Sequence, residues 1–212
     1  MEVIYEKRYE PFDVSVQVRE GTRARHLSFG SLIQTSMDIK YPEKIQLKYI
    51  RKMLEVLEDE TINDVNDVLI LGLGGGSLVK ALYTRTNTTI HVVEIIPFLK
   101  DISETYFYMP KDDKRIKVYS EDAFGFVQNT DKKYDLVFVD IFDNTKTEKK
   151  FISKEFHTGL KNLLKDSLTG YVVFNNHCLS ESQKNDWYER LGGVFNQIKE
   201  VHPKKNNITY CR

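Results

Sequence analysis

The rhythm of apolar and polar positions changes along this chain at about residue 67. Before it, Val14-Ser15-Val16-Gln17-Val18 alternates strictly, the mark of a half-exposed strand. Arg23–Phe29 and Ser31–Gln34 read as further short strands, separated at Gly30 and preceded by a turn at Glu20-Gly21-Thr22. A β-hairpin or small antiparallel sheet is expected here. Pro42 suits the first position of a helix. From there Ile45, Tyr49, Met53 and Val56 fall on one helical stripe, with Ile50, Leu54 and Leu57 beside it. That pattern predicts an amphipathic helix packed on a larger sheet.

From Asp67 onward, short apolar runs alternate with helix-length segments. Strands are expected at 67–71, 89–93, 116–120, 134–139 and 170–175, with helices between them at 77–84, 97–107, 122–128 and 153–164. Ser180-Glu181-Ser182-Gln183 fits a capping box, and Gly192-Gly193 stops the helix it opens, which is expected to run to about Phe195. Two last strands, near 197–202 and 207–211, flank a reversal at His202-Pro203-Lys204-Lys205-Asn206. Strands joined by helices run parallel, whereas strands joined by a short turn must run antiparallel. The expected fold is therefore α/β: a Rossmann-like, mostly parallel sheet with a C-terminal antiparallel hairpin over 42–212, preceded by a small β subdomain over 1–41.

Composition narrows the class only a little. The 212 residues are 41% apolar and 29% charged, ordinary for a soluble chain with a substantial core. Basic and acidic residues balance at 31 each, so bulk charge gives no reason to expect a nucleic-acid or membrane partner. There is no apolar run long enough to span a bilayer and no signal-peptide pattern at the N-terminus. Cys178 and Cys211 show neither metal spacing nor a disulfide framework, so a reducing, cytoplasmic setting is expected. His26, His91, His157 and His202 show no ligand spacing, and no metal is expected.

Candidate chemistry concentrates at strand ends. Val68–Leu71 is followed by Gly72-Leu73-Gly74-Gly75-Gly76-Ser77 and then by a helix. This is a nucleotide-binding strand–loop–helix. Ile90–Val93 ends in Glu94, an acid placed to meet a ribose diol. Ser77 stands where a dinucleotide fingerprint wants its third glycine. Asp122 follows the next strand, where it can accept from an adenine amino group or cap a helix. Asp140-Ile141-Phe142-Asp143 follows the strand after that. Three acidic strand ends suit a ligand with a ribose, an exocyclic amine and a sulfonium better than a pyrophosphate. Each acid also has a plainer reading, as a solvated strand end, a helix cap or a loop former. His177 lies at the same sheet edge, where it is either structural or a base near neutral pH. Trp187 is read as packing.

Together these segments resemble the spermidine synthase family, in particular its small bacterial spermidine synthase-like members on the class I S-adenosylmethionine-dependent transferase fold. The resemblance rests on Gly30–Met37, Gly72–Leu78, Val93-Glu94-Ile95, Glu121-Asp122-Ala123, Tyr134–Asp140, Phe151–Phe156 and Tyr171–His177. It implies that Gly72, Gly74, Gly75, Glu94, Asp122 and Gln34 hold the donor, decarboxylated S-adenosylmethionine. It implies Asp140 as the base and Asp143 as the anchor of an amine acceptor such as putrescine, in a homodimer with no tightly bound cofactor. Three departures matter. Gly75 stands where the family's loop carries an Asp, which normally disfavours a carboxylated donor tail. The family's Tyr-His pair is missing, with Tyr41 or Tyr49 as replacements. The loop after Asp143 is cationic at Lys146, Lys149 and Lys150, poor company for a polyamine. Methyl transfer from S-adenosylmethionine to an unknown acceptor and a non-catalytic scaffold remain the alternatives.

Overall fold

The computed structural model describes residues 1–58, 65–141, 148–176, 179–201 and 207–212. Four strands, β1 (Glu2–Tyr9), β2 (Val14–Glu20), β3 (Ala24–Phe29) and β4 (Leu32–Asp38), form an antiparallel sheet in that order. The alternation in β2 does what its period demands: Val14, Val16 and Val18 are buried and the residues between them are not. Each such valine contributes roughly 1.5–3 kcal/mol by leaving water. β4 runs to Asp38, beyond the expected end at Gln34, because Thr35 and Met37 continue the buried face. β1 was not expected. It lacks clean alternation, is mostly exposed, and owes its conformation to pairing with β2.

The helix expected from Pro42 shrinks to α1 (Lys48–Met53), followed by a 3-10 turn over Leu54–Glu58. Competing hydrogen bonds explain the difference. The Asp38 carboxylate accepts from the backbone N–H groups of Lys40 (2.9 Å) and Tyr41 (3.0 Å), holding a turn. Lys80 Nζ donates to the Pro42 carbonyl (3.0 Å) and the Phe107 carbonyl (2.6 Å). The Pro42 carbonyl is thus claimed by a side chain rather than by a helix. Burial pushes the Lys80 ammonium down to about 8.

The second sheet has seven strands: β5 (Asp67–Leu71), β6 (Thr89–Val93), β7 (Ile116–Tyr119), β8 (Leu136–Val139), β9 (Tyr171–Asn175), β10 (Ile198–Val201) and β11 (Ile208–Cys211). Their order is β10-β11-β9-β8-β5-β6-β7. β5 to β9 pair in parallel, while β11 runs antiparallel to both its neighbours. The reversal expected at 202–206 lies outside the described residues.

Both faces of this sheet are covered, which is why its strands are apolar runs without alternation. Val68, Ile70, Val92 and Phe138 face α1, α2 (Ser77–Arg85), α3 (Leu99–Phe107) and the buried side of the small sheet. Leu69, Leu71, Val137 and Phe174 face α4 (Ala123–Asn129), α5 (Lys154–Asn162) and α6 (Glu181–Gly192). Trp187 is buried and packs edge-on against Phe174 at 5.3 Å between ring centres. The capping box at Ser180 and Gln183 opens α6 as expected. Tyr9 Oη donates to the Ile95 carbonyl (3.1 Å), tying the small sheet to the end of β6.

Candidate active site

Strand register brings the expected residues to one edge. Leu71 pairs with Val93 and Val139, Val93 with Tyr119, and Val139 with Phe174. The next residues are therefore Gly72, Glu94, Ser120, Asp140 and Asn175, all at the carboxyl ends of parallel strands. That is where ligands enter doubly wound sheets. A cavity of about 310 Å³ opens there. Its far wall comes from the small sheet, with Phe12, Val14, Leu32, Ile33, Gln34 and Thr35.

The glycine loop is shaped by close approaches. Gly72 has φ 97°, and a Cβ there would run into the Asp140 carbonyl, so no other residue lets β5 and β8 close together at their ends. Gly76 has φ 73° and starts α2. Ser103 Oγ donates to the Gly74 carbonyl at 3.0 Å. Gly75 donates its N–H to Thr35 Oγ1 at 2.9 Å, and a Cβ at 75 would lie 2.7 Å from Thr35 Cγ2.

Glu94 is buried behind this loop. Its Oε2 accepts from the Leu73 N–H and its Oε1 from the Ile96 N–H, each at 2.9 Å. Burial pushes its carboxyl above the ordinary range, against the opposing pull of the surrounding backbone N–H groups. The backbone N–H groups of Ile95 and Gly74 also act on this carboxyl, and the residue lines the cavity. Asp122 caps α4, its Oδ2 accepting from the Gly125 N–H at 3.0 Å. Its Oδ1 accepts from Lys150 Nζ at 2.8 Å. The plain cap reading of Asp122 therefore holds, and the same carboxylate also lines the cavity. Lys150, expected in a cationic loop, is ion-paired with Asp122 and with Glu148 (3.3 Å).

Asp140 is held from two sides. Tyr49 Oη donates to its Oδ2 at 3.0 Å, and Asn175 Nδ2 donates to its Oδ1 at 2.8 Å. Burial, and then the Asp140 charge, push the Tyr49 phenol well above its ordinary range, so it stays a donor. A carboxyl oriented by two donors and opening on the cavity can hold a cation or take a proton from one.

The cavity thus gathers Gln34, Gly72, Gly74, Glu94, Asp122 and Asp140. Gly75 does not reach its wall, because its N–H is turned onto Thr35. Asp143, Lys146 and His177 lie outside the described residues. Sequence reasoning missed Thr35 and Asn175. Asn175 sits one position beyond the last apolar residue of its strand, a signal that was present but was read only around His177.

A family model described as the spermine/spermidine synthase domain matches residues 48–200. The chain belongs to the spermine/spermidine synthase family. It is 39% identical over 109 residues to a polyamine aminopropyltransferase 2 of Aquifex aeolicus, covering 46% of this chain and 21% of that one. It is 32% identical over 146 residues to a polyamine aminopropyltransferase of Clostridium beijerinckii, covering 66% and 47%. The chain thus spans half or less of the length of these two relatives. The crystal structure of a probable spermidine synthase from Corynebacterium glutamicum superposes with a TM-score of 0.80 at 16% identity, covering 100% of this chain and 80% of that one. That likeness carries the fold: the class I methyltransferase-like sheet preceded by a small antiparallel sheet.

Proposed function

We propose that this family member transfers an aminopropyl group from decarboxylated S-adenosylmethionine to a small amine, putrescine or a relative. The observation that carries the reading is Asp140, fixed by Tyr49 and Asn175 where the glycine loop meets the open cavity. The family match and the polyamine aminopropyltransferase relatives support aminopropyl over methyl transfer.

In this reading Glu94 takes the ribose and Asp122 the adenine, while Gln34, Gly72 and Gly74 line the path of the sulfonium and its tail. The acceptor nitrogen attacks the propyl carbon bonded to sulfur. The C–S bond breaks, its electron pair returns to sulfur, and methylthioadenosine leaves neutral. The acceptor ammonium first gives a proton to Asp140, and the lone pair this frees makes the new C–N bond. Asp143 would anchor the far end of the amine. The chain contributes position and a base, with no covalent intermediate.

Asp140→Asn tests this. It keeps the shape and removes the base, and its single amide oxygen can accept from only one of the two donors, Tyr49 or Asn175. Product formation is expected to fall about 100-fold or more, with donor affinity by calorimetry nearly unchanged. Wild-type turnover in this variant would remove Asp140 from the base role.

A further inference from the structure

We infer that Lys150 sorts ligands between the two ends of the cavity. Its own ammonium fills the amine seat at Asp122, which leaves that end to an uncharged base and the acceptor amine to Asp140. The inference rests on the donor and acceptor sites proposed above and adds the residue that keeps them apart.

The lining makes such a residue necessary. Among the described residues, the charged groups on the cavity wall are Glu94, Glu121, Asp122, Asp140 and Glu148, with no lysine, arginine or histidine. A wall of acids attracts alkylammonium groups along its whole length. Sheet order places the end of β7, which leads to Asp122, three strands from the end of β8, which leads to Asp140. At about 4.8 Å per strand, those ends lie roughly 14 Å apart. A diamine bound at the β7 end would occupy the place of the donor's base.

Lys150 Nζ lies 2.8 Å from Asp122 Oδ1 and 3.3 Å from Glu148 Oε2. It also lies 4.9 Å from the centre of the Phe151 ring. Asp122, Glu148 and Phe151 all line the cavity, so the ammonium stands against that end of the wall. Chemically it resembles the acceptor, a primary ammonium on a four-carbon chain. Being part of the chain, it holds the seat without the association cost that a free amine would meet. Its charge offsets that of Asp122. Each Asp122 oxygen has one partner, the Gly125 N–H or Lys150, and still accepts from the amino group of an uncharged base. Asp140 is instead aimed by the neutral donors Tyr49 and Asn175.

The test is calorimetry on the intact chain, titrating methylthioadenosine with and without putrescine. In Lys150→Met, putrescine at about ten times its dissociation constant for that variant is expected to weaken methylthioadenosine about tenfold. The same putrescine concentration should leave the wild-type affinity within about twofold. Lys150→Gln should behave as Lys150→Met, and Lys150→Arg as the wild type. Both neutral variants should fold, since the ion pair they lose is partly exposed and adds little stability. Three results would each overturn the inference: equal competition in the wild type, no putrescine binding or competition in the neutral variants, or competition in Lys150→Arg as strong as in Lys150→Met. Product formation by the wild type alongside any of these would leave the proposed function standing. A wild type that does not bind methylthioadenosine would overturn the donor site itself, and the inference with it.

Discussion

The contact between Gly75 and Thr35 gives a quantitative prediction. Gly75 lies outside the left-handed region, so a methyl group there carries no backbone strain of its own. Its cost is steric. The new Cβ would sit 2.7 Å from Thr35 Cγ2 and 2.9 Å from both Cβ and Oγ1. Thr35 is buried in β4 and β-branched, so it has little room to turn. Moving it also breaks the hydrogen bond from the Gly75 N–H. Overpacking of about 1–3 kcal/mol plus about 1 kcal/mol for that bond puts Gly75→Ala near 3 kcal/mol destabilising. In a chain of this length that lowers Tm by roughly 6–12 °C. Thr35→Gly removes all three opposing atoms. Alone it costs about 2–3 kcal/mol, from the orphaned N–H and from glycine in a strand. The double variant should cost little more than Thr35→Gly, a coupling of about 3 kcal/mol. Urea unfolding of the four proteins, compared by midpoint at constant slope, measures it. Additivity within about 0.5 kcal/mol would refute the claim that Thr35 is what keeps residue 75 bare.

Two further outcomes follow from the site and the core. Asp122→Ala removes the cap on α4 and the Lys150 pair. Both pair members are 34% exposed, so the cap dominates, and a loss of about 1 kcal/mol is expected by thermal melting. Asp122→Ser should restore most of it without restoring donor affinity, and wild-type donor affinity in either variant would sink the adenine role. His157 is buried with neither ring nitrogen partnered, and burial, with a smaller contribution from the Arg190 charge, pushes it down to about 4. Its folded value lies below its unfolded one, so the unfolded chain binds the extra proton. Its contribution to stability is full above about pH 6.5 and is lost as pH falls toward 4. His157→Phe should flatten that part of the stability profile, leaving the slope from His91, which burial also pushes down to about 4. An unchanged profile in His157→Phe would contradict the burial argument.

Most of the fold was legible because both periods are strong here. The alternation in β2 and the unbroken apolar runs within β5, β8 and β9 each have one physical solution, a one-sided sheet in the first case and a two-sided sheet in the second. The misreadings came where tertiary hydrogen bonds overrule local pattern. Ile45, Tyr49 and Met53 keep helical spacing, yet Lys80 and Asp38 claim the backbone around Pro42 and shorten the helix. β1 carries almost no pattern, because an exposed edge strand takes its order from its neighbour rather than from its own side chains.

The site divides along a similar line. Glu94 and Asp140 directly follow their strands and Asp122 follows three positions after β7, so all three are readable at the ligand edge of a doubly wound sheet. What those carboxylates are bonded to is not a local property. Asp140 and Asn175 stand thirty-five positions apart and meet at 2.8 Å only because β8 and β9 are parallel neighbours in register. Thr35 reaches Gly75 across forty positions and between two sheets. A sequence written in order of position names the acids of such a site but not the neutral residues that orient them. Here Tyr49 and Asn175 aim the Asp140 carboxyl from two sides, and Thr35 holds the glycine loop at Gly75.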